Sequence, residues 1–258
     1  MIHLKSAREI EHMAAGGAII GELFHELAPQ VEPGVSTGEL DAFAEEFIRS
    51  HEGAVPLFKG LYGFPGTVCA SVNEEVVHGI PSATRRLKEG DLLTLDVGVR
   101  WEGWCADSAR TFPVGQLSVA DGKLLEATSE SLKLAVDAAV PGNHVGDLGA
   151  AVEARVEGTG FSVIRDLVGH GVGRELHEEP QIPNLGKPGR GPRLLAGMVI
   201  AIEPMISAGT FRIKTLEDGW TVVTADGSRS AHFEHTVAVT EDGPRILTAS
   251  RHAASAAN

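Results

Sequence analysis

A chain of 258 residues with 43% hydrophobic and 22% charged side chains has room for one large domain or two modest ones, and this balance excludes wholesale disorder and fibrous architectures. Its 22 Lys and Arg stand against 35 Asp and Glu, a formal charge of −13, which argues against general affinity for nucleic-acid phosphates or anionic lipid. Two cysteines, Cys69 and Cys105, outside any CxxC pair, an N-terminus without the apolar core of a signal peptide, and no apolar run of the roughly 18 residues that span a bilayer together predict a soluble, cytoplasmic protein.

From Ser6 to about Leu27, apolar residues recur at helical spacing behind a Ser cap, although Gly16 and Gly17 weaken the middle of that pattern. After the break at Pro33-Gly34, a second helix starts at Ser36 or Thr37 and ends near Gly53. Between Leu61 and Gly115 short runs of Val, Leu, Thr and Trp, punctuated by Gly and Pro, predict strands and hairpins. Helices follow at 119–140 and 145–158, then strands at 198–202, 211–216, 220–224 and 233–240. Helices, strands, helices, strands is the order of a duplicated α+β unit, although no literal repeat accompanies it.

Within the first strand region, Leu92 to Asp107 predicts an antiparallel hairpin carrying one carboxylate on each arm. If the loop has two residues, alternation places Asp96 and Asp107 on the same face. Two such charges on an apolar surface need a cation or a shared proton, so the pair is either a metal site or acid dyad, or else one Asp caps a turn while the other sits in water. Gly169-His-Gly-Val-Gly173 puts His170 in a tight glycine turn, followed by His177-Glu-Glu-Pro180. Phosphate-loop, dinucleotide and HExxH patterns are all absent there. Glu203 ends the apolar run Met198–Ile202, and Glu234 is predicted to lie inside a strand over 233–239. Four carboxylates and one imidazole match two divalent cations, and this oxygen-rich set with one nitrogen suits Mn, Fe(II), Co or Zn.

Val76-Val-His78-Gly-Ile-Pro81, Asp96-Val-Gly, Asp107-Ser-Ala-Arg-Thr, Gly169-His-Gly-Val-Gly, His177-Glu-Glu-Pro, Ile202-Glu-Pro and Phe233-Glu-His-Thr236 follow one another in the order found in type I methionine aminopeptidases. The chain resembles that family over about residues 3 to 248. The resemblance implies an α+β pita-bread fold, two pseudo-symmetric halves around a central antiparallel sheet, as one catalytic domain over 1–248 with a flexible tail at 249–258. It implies that Asp96 holds one metal, that His170 and Glu203 hold the other, and that Asp107 and Glu234 bridge them. A hydroxide between the metals would attack the first peptide carbonyl, with Glu203 as general base, His177 stabilising the oxyanion, and His78 contacting the scissile amide. Phe58, Phe64, Cys69, Leu176 and Trp220 would wall the methionine slot, with Leu61 and Tyr62 adjacent, and Asn73 and Ser230 would bind a monovalent cation.

The substrates so implied are N-terminal methionines of nascent polypeptides and peptides with a small second residue. The ribosome is a further candidate partner, and a monomer is expected. The short interval between Glu203 and Glu234 leaves no room for the long insertion of type II enzymes, and the chain resembles the short bacterial form. Two features depart from the family pattern: His232 stands where Gln is common, and Gly186–Pro192, rich in Gly, Pro and basic residues, predicts a mobile surface loop. A proline-directed pita-bread aminopeptidase and a non-catalytic pita-bread binding module are the alternatives. The first usually carries a large extra N-terminal domain, and the second has lost ligands that are all present here.

Overall fold

The computed structural model describes residues 2–250. In chain order the main elements are α1 (Ala7–Leu27), α2 (Thr37–Ser50), β1 (Ala54–Pro56), β2 (Val68–Val72), β3 (Glu75–Val77), β4 (Leu92–Trp101), β5 (Trp104–Pro113), α3 (Val119–Asp137), α4 (Val145–Val156), β6 (Ser162–Val163), β7 (Val168–Gly171), β8 (Glu178–Pro183), β9 (Val199–Ile202), β10 (Met205–Ser207), β11 (Ile213–Thr215), β12 (Val222–Thr224), β13 (Ser230–His232), β14 (His235–Thr240) and β15 (Gly243–Ile246). Both N-terminal helices start where the sequence places them because each carries a reciprocal cap. Ser6 accepts from the Glu9 N–H while the Glu9 carboxylate accepts from the Ser6 N–H, and Ser36 and Glu39 repeat the arrangement.

In the first half, α1 and α2 bury Ile20, Leu23, Leu40 and Ile48 against Leu93, Leu95, Val97 and Val99 of β4. β1 and β2 pair successively along one edge of β4, and β5 runs along the other. In the second half, Leu132, Val136, Leu148 and Val152 of α3 and α4 close over a five-stranded sheet ordered β15-β14-β9-β7-β8. Side-chain hydroxyls splice the halves together. Thr236 Oγ1 accepts the Asp107 N–H at 2.9 Å and donates to the Asp107 carbonyl at 2.7 Å, Ser108 Oγ donates to the Glu234 carbonyl, and Thr111 Oγ1 bonds both backbone groups of His232.

The glycines within α1 serve close packing. A side chain at Gly17 would overlap the Leu247 carbonyl, and one at Gly21 would overlap the backbone of Ala249 and Ser250, so the segment after β15 lies in a groove that glycine opens along the helix. The first two residues of the expected tail therefore pack against the body, and residues 251–258 lie outside the described residues.

One expectation needs correction. Glu234 is not inside a strand: Phe233 and Glu234 form the break at which the chain leaves β13, paired with β10, and enters β14, paired with β9. Segment 186–192 is a surface loop, as expected, and its backbone is tied to α4: Asp147 accepts from the Gly189 N–H, Glu153 accepts from the Gly186 N–H, and the Arg190 carbonyl accepts from the Gly146 N–H. Among the described residues, no helix is long and apolar enough to cross a membrane.

Candidate active site

The β4–β5 turn has two residues, Glu102 and Gly103, both at positive φ, as a tight hairpin requires. Asp96 pairs with Ala109 and Asp107 with Gly98, so the two acids are diagonal neighbours on one face. Glu203 and Glu234 meet by a different device. Ile202 lies opposite His235 and Met205 opposite His232, so the register is the same on both sides of a two-residue interruption. That register sets Glu203 across from Glu234 at the point where neither chain continues its ladder. The Glu234 N–H turns instead to the Ala109 carbonyl at 2.8 Å, bringing its carboxylate to the Asp107 arm of the hairpin.

His170 comes from β7. Its Nδ1 lies 2.9 Å from the Gly171 carbonyl, which can only accept, so the proton sits on Nδ1 and the lone pair on Nε2 is left free. That Nε2 is 3.7 Å from Asp107 Oδ2 and 3.7 Å from Glu203 Oε1. Ligand atoms of Asp107, His170 and Glu234 all lie within 4.8 Å of one another.

The electrostatics are those of a site built to take positive charge. Burial holds the Asp96 carboxyl up at about 7. Burial and the neighbouring acids push Asp107, Glu203 and Glu234 well above the carboxylate range. Burial also lowers His170 to about 4, so its imidazole is neutral. Asp96 Oδ1, Asp107 Oδ1 and Glu234 Oε1 are buried without a hydrogen-bond partner in the protein. Orphaned carboxylate oxygens converging on a neutral imidazole fit a divalent cation, and neither a hydrophobic ligand nor an anion would satisfy them.

These five side chains line a cavity of about 640 Å³ together with Phe58, Phe64, Cys69, Leu176, Trp220, His78 and His177. The Phe64 and Trp220 rings meet edge to face at 5.2 Å, and Trp220 similarly faces His78 at 6.5 Å. His78 is held at φ 60, and its exposed ring, like that of His177, is disfavoured in the charged form by desolvation. The His177 ring stands 4.5 Å from that of His170. Burial, with the Asp96 and Asp107 charges behind it, raises the Cys69 thiol well above its usual value, which makes it wall and not nucleophile. Asn73 and Ser230 are also brought together: the Ser230 N–H donates to the Asn73 carbonyl at 2.9 Å, while the Asn73 amide bridges Asp91 and the Leu92 N–H.

Val77, Leu167, Val168, Gln181 and Met205 also line the cavity and were missed from the sequence. For Met205 a signal existed, since two residues beyond Glu203 along an extended chain is the same face. For Leu167 and Val168, whose place depends on how the 164–168 turn crosses the sheet, there was none.

Residues 11–241 match metallopeptidase family M24. Methionine aminopeptidases of Clostridium perfringens and Bacillus subtilis are each 52% identical over 248 residues, spanning 96% of this chain and 99% of theirs. The chain belongs to the methionine aminopeptidases of metallopeptidase family M24. Its fold is accordingly the pita-bread fold, and the methionine aminopeptidase of Thermotoga maritima superposes on this M24 chain with a TM-score of 0.95 at 45% identity, covering 97% of this chain and 100% of the other. A prolidase of Pyrococcus horikoshii shares the fold at a TM-score of 0.76 and 22% identity, and the match covers 96% of this chain but 64% of the prolidase.

Proposed function

We propose that this M24 metallo-aminopeptidase removes the N-terminal methionine from polypeptides whose second residue is small. One observation carries the reading: the five candidate ligands and the apolar side chains of Phe58, Phe64, Cys69, Leu176 and Trp220 line the same cavity. Asp96 on one side, His170 and Glu203 on the other, and Asp107 and Glu234 between them would hold two divalent ions. When bound, such ions lower the pKa of water and polarise a peptide carbonyl.

The residues do the rest. Glu203, in its ionised form, takes the proton from the attacking water and passes it on toward the departing amine. His177 donates a ring N–H to the carbonyl oxygen as negative charge gathers on it, and His78 donates to the scissile amide. Phe64, Trp220, Phe58, Leu176 and the Cys69 sulfur surround the methionine side chain, whose polarizable sulfur packs well against aromatic edges. A slot closed around the first side chain, with the ligand cluster beside it, leaves little room at the second residue.

The test compares Met-Gly, Leu-Gly and Ala-Pro peptides at equal concentration with protein reconstituted anaerobically with Mn or Co. Preference for Met-Gly is expected. Preference for Ala-Pro would move the chain to the proline-directed branch, and equal rates on Leu-Gly and Met-Gly would show that the five wall residues do not select methionine.

A further inference from the structure

Glu178 belongs to the His177-Glu-Glu-Pro motif yet has no part in the chemistry above. Its partner comes from the opposite end of the chain: Lys5 Nζ lies 2.7 Å from Glu178 Oε2, and the lysine side chain is only 1% exposed. The other carboxylate oxygen accepts the Glu175 N–H at 3.3 Å, so Glu178 closes the turn that carries His177. Space is reserved for this arrangement, since a Cβ on Gly173 would overlap the Glu178 carboxylate. Lys5 is itself anchored, its N–H donating to the Gly197 carbonyl at 2.7 Å at the entrance to β9, the strand that leads to Glu203.

A lysine this deeply buried is a poor choice for stability alone, because an apolar pair of the same size would serve as well or better. What an apolar pair cannot do is fix a carboxylate at one place, between an ammonium and a turn N–H, directly beside the imidazole that faces the substrate. Burial opposes the charge on Glu178, yet the Lys5 hydrogen bond and charge, with the turn N–H groups, keep its carboxyl below the usual range.

We propose that Lys5 is a positioning residue for peptide hydrolysis: acting through Glu178, it holds the 173–178 turn so that His177 is aimed into the cavity. The N-terminal segment is thereby part of the catalytic apparatus although it never meets substrate. This rests on the role given to His177 above.

The experiment measures kcat and KM on a Met-Gly peptide, and Mn affinity by calorimetry, for K5M, K5R and E178Q in metal-loaded protein, each in the parent and in a His177→Ala background. In the parent background K5M and E178Q should lower kcat about tenfold with KM and Mn affinity within about twofold, and K5R should recover most of the loss. In the His177→Ala background the same substitutions should cost less than about twofold, because the group they aim is gone. Equal losses in both backgrounds, or full turnover in E178Q, would overturn the proposal whether or not K5M folds. Normal turnover of His177→Ala by itself would instead overturn the role of His177, and this proposal with it.

Discussion

His232 Nε2 stands 3.8 Å from Oε2 of Glu203, while Oε1 of the same carboxylate faces His170. Neither ring nitrogen of His232 has a hydrogen-bond partner in the protein, and burial with the nearby His78 lowers its pKa to about 3, so the ring is neutral and has one N–H to give. At 3.8 Å no hydrogen bond is made, but an N–H given to Oε2 as a cation settles on Oε1 would orient the Glu203 carboxylate. Replacing His232 by Ala should weaken metal binding by about 10- to 100-fold, the usual cost of losing a group that orients a ligand. Competition against a fluorescent chelator measures this, and an unchanged affinity would show that Glu203 needs no such support.

Stability of the metal-free protein should fall as pH rises from about 4 to about 7. The sign follows from Asp96, whose carboxyl is raised from 3.8 to about 7 in the folded chain by burial, with Asp107, Glu203 and Glu234 raised alongside it. Below the unfolded value both states are protonated. Between the two values the unfolded chain gives up its proton and the folded one keeps it, so unfolding becomes easier. Thermal scans of chelator-treated protein across this window should show Tm dropping by several degrees, and saturating Mn at pH 7 should reverse the drop. A Tm that climbs with pH in the metal-free protein would mean that the acids are not crowded together.

His177→Ala should reduce kcat by about 10²-fold or more with little change in KM, because a hydrogen bond to a developing oxyanion matters chiefly in the transition state. Steady-state kinetics on a Met-Gly peptide separates the two parameters. A raised KM with intact turnover would assign the imidazole to ground-state binding.

How much of this could be read beforehand depends on the range of the interaction. The Ser6–Glu9 and Ser36–Glu39 caps are four-residue patterns, and the shared face of Asp96 and Asp107 needs only strand alternation and a two-residue turn, so both were visible in the chain. The facing of Glu203 and Glu234 was not, since it depends on the register between strands that other elements separate. The kink at Phe233–Glu234 was hidden for the same reason: an unbroken run of strand formers says nothing about a change of partner strand. Lys5 and Glu178 lie 173 positions apart, and no local pattern connects them.

Gly98→Ala should damage substrate binding from behind. Gly98 pairs with Asp107 in the hairpin, and a methyl group there would run into the Phe58 ring and the Leu57 side chain. The ring must move toward the methionine slot or the strand must bend, at a stability cost of about 1–3 kcal/mol for overpacking. The expected kinetic result is a KM for Met-Gly raised several-fold with kcat less affected. A variant with the parent KM would show that Phe58 can give way without narrowing the slot.

The groove on α1 has a consequence for how this protein is made. The helix is synthesised before either sheet, yet the faces of Gly17 and Gly21 are covered by the backbone of residues 247–250. On a chain growing from its N-terminus, that helix must wait until the strands of both halves have been made with a glycine-lined strip open to water, and the glycines themselves leave it weak in isolation. This docking is a long-range event that pairs α1 with the segment after β15, and contacts of this kind slow folding. Truncation a few residues before Leu247 would thus leave the earliest helix without its cover, and arrested chains should be recognisable by protease sensitivity within α1 even when β4, β5 and the helices of the second half are already formed.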